Sequence, residues 1–148
     1  RIAADALEQL RLKKLVSTPG TYFETKLVEE NEDGEDWVDF VYIKESLAAP
    51  GVKCEVCALG SLLCGLGNVN GDFRTSVHAQ TQLGDYFDTD QINFIEACYE
   101  GSWINGYYSA TDEQTEVSDR FYNKYPNDDK RLKAILQNIV KNRGTFKP

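Results

Sequence analysis

No stretch of this sequence approaches the roughly eighteen consecutive apolar residues that a membrane-spanning helix needs. Nor does Arg1 to Leu15 hold the continuous apolar centre of a secretory signal peptide, so the reading is a cytoplasmic protein with no membrane association. Histidine is nearly missing: His78 is the only one, which leaves any histidine-based catalytic or metal set a single candidate. A phosphate loop is absent too. Gly65, Gly67 and Gly71 approximate one, but Asn70 stands where G-x-G-x-x-G requires glycine and no G-K-[ST] follows. Asp88-Thr89-Asp90 opens like a calcium loop, yet the loop's glycine is missing and Tyr99 takes the place of its bidentate glutamate. These gaps imply no cofactor. No internal repeat, linker or low-complexity tract divides the chain.

What is present is a globular composition. At 148 residues, 41% hydrophobic and 27% charged, the chain can fold around one core and bury roughly 68–70% of its unfolded surface. The expected fold is mainly α, a compact single domain of about five helices with room for a short β-hairpin. Apolar residues Ala3, Ala6, Leu7 and Leu10 predict a helix over Ala3 to Leu15, ended by Ser17-Thr18-Pro19-Gly20. Thr21 to Val28 fits a strand or a helical turn equally. Glu29 to Asp36, with six acids in eight residues, reads as an exposed loop, and Trp37 to Leu47 as a short helix. Val56 to Leu66 is apolar on nearly all sides, which predicts a central buried helix, with Gly60 and Ser61 letting a neighbour approach and Gly65 and Gly67 breaking it. Asp72 to Gly84 reads as mainly irregular.

Two further helices carry sharper signals. Asp88 with Gln91 three residues on marks the start of a helix over Thr89 to Glu100, stopped by Gly101. Leu132, Ile135, Leu136, Ile139 and Val140 form an apolar stripe in a last helix capped by Asn127 or Asp128 and followed by Gly144. Its polar side is assigned Lys130, Arg131, Lys133 and Lys141, with the C-terminal cations favoured by the helix dipole.

Charge is unevenly spread. Residues 1–14 and 130–148 hold 10 basic and 2 acidic side chains, whereas residues 15–129 hold 6 basic and 22 acidic, within a net charge of -8. The acidic middle repels phosphates, which argues against direct nucleic-acid binding and for a protein partner with a basic surface. The basic ends are expected to lie against that middle or to form a patch of their own.

Four sets of residues bear on chemistry. Cys54 and Cys57, with Cys64 and either Cys98 or His78, suggest zinc because Cys-x-x-Cys supplies two thiolates. On one helix, however, Cys57 and Cys64 would be separated by about 10.5 Å of rise, too far for one ion, and the thiols read as buried packing groups. Cys57 at a helix start, with His78 as base and Asp85 as orienter, has the chain order of some small cysteine peptidases, though no signature surrounds it. Tyr99, Trp103, Tyr107 and Tyr108, with Phe121 and Tyr122, could line a pocket for a small aromatic ligand such as a nucleotide signal. Asp112, Glu113, Glu116 and Asp119 read as a solvated helix face.

Three segments also carry a resemblance: Cys54 to Leu62, Tyr86 to Glu96, and Arg131 to Val140 with Gly144, Phe146 and Pro148. The chain from about Pro50 resembles small uncharacterised proteins of tailed bacteriophages and related bacterial elements. The resemblance brings no catalytic residues. It implies a non-enzymatic phage accessory protein in the host cytoplasm that modulates a host component, with an anti-defence inhibitor as one form. The alternatives are a protein that sequesters a nucleotide signal, a cysteine-dependent hydrolase and a virion structural component.

Overall fold

The computed structural model describes residues 1–25, 37–38, 40–70, 77–101 and 110–148, with backbone alone at 37–38, 40–42 and 77–80. The mainly α expectation holds. Among the described residues the chain forms α1 (Ile2–Arg11), β1 (Leu15–Ser17), β2 (Trp37–Val38), α2 (Phe40–Ala48), β3 (Cys54–Val56), α3 (Ala58–Asn70), β4 (Val77–His78), α4 (Ala79–Leu83), α5 (Thr89–Glu100), α6 (Asp112–Lys124) and α7 (Asp128–Lys141). None of these helices is long and apolar enough to cross a membrane.

The hub is α3, buried from Ala58 to Gly67, against which α1, α2, α4 and α5 pack. Its glycines are notches rather than breaks. A Cβ on Gly60 would lie 1.5 Å from the carbonyl oxygen of Tyr22, and one on Gly65 would lie 2.3 Å from that of Ile2. A glycine inside a helix costs about 1 kcal/mol relative to alanine, and here two backbones gain contact with the hub in return. Thus the helix continues past Gly65 and Gly67 to Asn70.

Val56 belongs to a strand and not to α3. In β3 it pairs with Ser17, in a parallel ladder that also joins Leu15 to Cys54 and Val16 to Glu55. On the other side of β3, Glu24 and Glu55 exchange both backbone hydrogen bonds at 2.9 and 2.8 Å, the one regular feature of residues 21–25. The second pair, β2 with β4, is antiparallel and matches Trp37 to His78. Neither ladder is a local hairpin, and the Asn105-Gly106 turn lies outside the described residues, as do 26–36 and 71–76. Two further expectations are corrected. Trp37 and Val38 are strand rather than helix, and Val77 to Leu83 is a strand and a short helix rather than irregular.

Helix ends follow local chemistry. Asp88 accepts from the Gln91 N–H to open α5, and Gly101 closes it in the left-handed region. Thr111 and Gln114 form a reciprocal capping box on α6, and Asn127 accepts from the Lys130 N–H on α7. Helix α1 stops at Arg11, short of Leu15, because Lys13 turns left-handed and the N–H groups of Lys13 and Lys14 bond back to Leu10 and Gln9. Helix α7 ends the same way, with Arg143 left-handed and Gly144 donating to Ile139 at 2.8 Å. Both are Schellman closures with a basic residue where glycine is usual.

Candidate functional site

Cys57 sits where β3 hands over to α3. Its thiol accepts from the Gly60 N–H at 3.4 Å, so it occupies the place a serine or aspartate cap would fill, and its own N–H donates to the carbonyl of Thr21. A helix start favours thiolate, but burial dominates: the residue is 4% exposed and its thiol is pushed up to about 12. The nearby Glu100 and Glu96 carboxylates push the same way, against the amide hydrogen bonds of Gly60 and Leu59. The thiol is therefore protonated and covered. Asp85 is exposed in the turn after α4. His78 lies in β4 of the other sheet, and its side chain is outside the described residues.

The remaining thiols behave alike. Cys54, Cys64 and Cys98 are free and buried, each with its pKa raised mainly by burial. Among the described residues, no group of three or more histidine, cysteine, aspartate or glutamate side chains is placed to hold a metal ion.

Of the aromatic set, Trp103, Tyr107 and Tyr108 lie outside the described residues. Tyr99 is fully buried in α5, with its hydroxyl 2.6 Å from the Ser17 hydroxyl and its pKa raised by burial against that hydrogen bond. Its face meets the guanidinium of Arg131, 5.3 Å from the ring centroid. Tyr99 thus couples α5 to β1 and α7. Phe121 is buried against Tyr125 and Phe146, at 5.0 and 5.6 Å between centroids.

Arg131 corrects the sequence reading, which set it on the polar side of α7. It is 1% exposed. Its Nε donates to the Tyr99 carbonyl at 2.7 Å, Nη1 to the Tyr125 carbonyl at 2.8 Å, and Nη2 to the Asp128 carboxylate. Tyr122 stacks on it at 4.3 Å. One planar cation therefore locks together the C-terminal ends of α5 and α6 and the start of α7. A signal was present: Arg131 precedes Ile135 and Ile139 by four and eight residues, on the buried face. The buried arc of α7 is turned toward Arg131 and away from Val140, which is 45% exposed.

The surface carries the remaining candidates. On α6, Asp112, Glu113, Glu116 and Asp119 are all exposed, and none forms an ion pair with a described residue. Between α1, β1 and α7 a hollow of about 630 Å³ opens, floored by Leu7, Leu10, Leu15 and Val16 and edged by Lys13, Lys53 and Lys133. Cations from both ends of the chain line this hollow together with Lys53, while α1 and α7 also pack on α3 and α5 of the middle. No protein-family model matches this chain, and neither the curated proteins nor the solved structures contain a match to it.

Proposed function

We propose that this chain is a non-enzymatic binding protein that engages a host protein through a basic surface on that partner and modulates it, in the manner of a phage accessory or anti-defence protein. The observation that supports this reading is the exposed face of α6. Asp112, Glu116 and Asp119 stand at i, i+4 and i+7 on one side of a helix held rigid by its Thr111–Gln114 capping box and by the buried Phe121. Exposed, unpaired carboxylates on one helix face speed encounter with a cationic surface. The covered, protonated Cys57 thiol gives the hydrolase alternative no comparable support.

Pull-down from bacterial lysate at low and at high salt tests the reading. A partner retained at low salt, released at high salt and lost to the triple variant Asp112→Asn, Glu116→Gln, Asp119→Asn is the expected result. No partner at either salt would count decisively against it.

A further inference from the structure

Helices α1 and α7 lie antiparallel, and a trough runs along the seam. The hollow of about 630 Å³ spans the C-terminal half of α1 and the N-terminal half of α7. A second hollow, of about 540 Å³, spans the start of α1 and the end of α7, and the two meet at Ala4. On α7 the lining residues Asp129, Lys133, Gln137 and Val140 fall at i, i+4, i+8 and i+11, a single stripe beside the buried arc. From Asp129 to Val140 that stripe extends about 16 Å, three helical turns, and Arg143 and Gly144 carry the lining just past the helix end.

Two independent features mark this trough. The first is apolar exposure. Among the described residues the large hydrophobic side chains left open to solvent are Leu12, Tyr86 and Val140, at 50%, 48% and 45%. Tyr86 and Val140 line the second hollow, and Leu12 stands between Arg11 and Lys13, which line the first. The second is charge. In a chain of net charge -8, the trough gathers Arg1, Arg11, Lys13, Lys53, Lys133 and Arg143 against two carboxylates. One of these, Glu8, is already taken by Arg11 through hydrogen bonds of 2.7 and 2.6 Å.

We infer that the trough between α1 and α7 docks an amphipathic helix of a partner protein, apolar on the face it buries and acidic along both flanks. A small residue, Ala4, at the waist lets the helix ridge pass from one hollow to the next, and the flanking lysines meet carboxylates spaced one turn apart. The partner's chemistry is opposite in sign to that expected at α6, so this inference stands independently of the function proposed above.

The test uses a fluorescein-labelled peptide of about sixteen residues, long enough for four turns, with leucine at i, i+3, i+4 and i+7 and glutamate elsewhere. Its counterpart carries lysine in place of glutamate. Fluorescence anisotropy should show the glutamate peptide binding the full chain at least tenfold more tightly than the lysine peptide. The double variant Lys53→Glu, Lys133→Glu should weaken it tenfold or more, and Val140→Asp should weaken it separately. All three substitutions are on exposed side chains, and circular dichroism verifies that each variant is folded. Equal binding of the two peptides, no binding of the glutamate peptide, or binding indifferent to these substitutions overturns the inference. So does self-association in sedimentation that Val140→Asp abolishes, because the occupant would then be a second copy of this chain.

Discussion

Replacing Arg131 tests the packing argument most severely. Its two hydrogen bonds to the carbonyls of Tyr99 and Tyr125 are charge-assisted, the first buried and the second partly so, each contributing about 1.5–3 kcal/mol net. Stacking on Tyr122 adds about 0.5–2 kcal/mol. The pair with Asp128 adds little, about 0–1 kcal/mol, because the Asp128 side chain is 43% exposed. Desolvation of the guanidinium offsets part of the sum, so its net worth is smaller than its loss. Arg131→Ala leaves the buried Tyr99 carbonyl and the partly buried Tyr125 carbonyl without this donor and opens a cavity beneath α7, which should cost about 3–5 kcal/mol. Arg131→Lys keeps the charge but lacks the planar fork, and about 2 kcal/mol should be lost. In urea denaturation, with an m-value of about 2 kcal/mol/M, the alanine variant should unfold roughly 2 M earlier. Raising the salt should leave that difference unchanged, because the cation is buried. An alanine variant within about 1 kcal/mol of the parent, or a lysine variant equal to it, would refute the assignment of Arg131 as the lock between α5, α6 and α7.

Three other outcomes follow from the same structure. Gly60→Ala should cost about 3 kcal/mol or more, since its Cβ meets backbone 1.5 Å away, and Gly65→Ala somewhat less at 2.3 Å; thermal unfolding of both variants measures the order. Burial raises the Glu100 carboxyl above its ordinary 4.5, against the Gly20 N–H and the Arg131 charge. A raised carboxyl penalises the folded state once ionised, so the penalty sets in as pH rises past the ordinary 4.5 and is complete above the raised folded-state value. Glu100→Gln should therefore match the parent at low pH and exceed it increasingly toward neutrality, and a gap independent of pH in parallel denaturation series would contradict the sign. Ellman's reagent should label no thiol rapidly in the folded chain and all four after denaturation, whereas one thiol reacting within seconds would revive a catalytic role for it.

Local chemistry was legible where it acts within one turn. Asp88, Gln91 and Gly101 bound α5 at Thr89 and Glu100, and Asn127 opens α7, because a cap and a stop are decided by residues three or four apart. The start of α3 was misplaced by two residues because Val56 is apolar in a strand as in a helix. Only its pairing with Ser17, far away in sequence, decides between them. Arg131 was misassigned for the opposite reason. Charge usually marks the outer face, and here two carbonyls from other elements, with the Asp128 carboxylate of α7 itself, hold the cation inside. The acidic face of α6 was readable as spacing alone. The trough was not, since it exists only where two helices from distant parts of the chain lie side by side.

That same seam bears on how the molecule reaches its fold. Among the described elements α1 comes first and α7 last, so their contact closes a loop containing nearly all of the described core. During synthesis α1 can settle on α3 and the β1–β3 ladder can form, but the side of α1 that α7 covers stays open until α7 emerges. Contacts of such long sequence separation are formed late and slow the search. A chain lacking α7 therefore leaves open the sides of α1 and α5 on which α7 packs, while the hub helix already has its own walls in place.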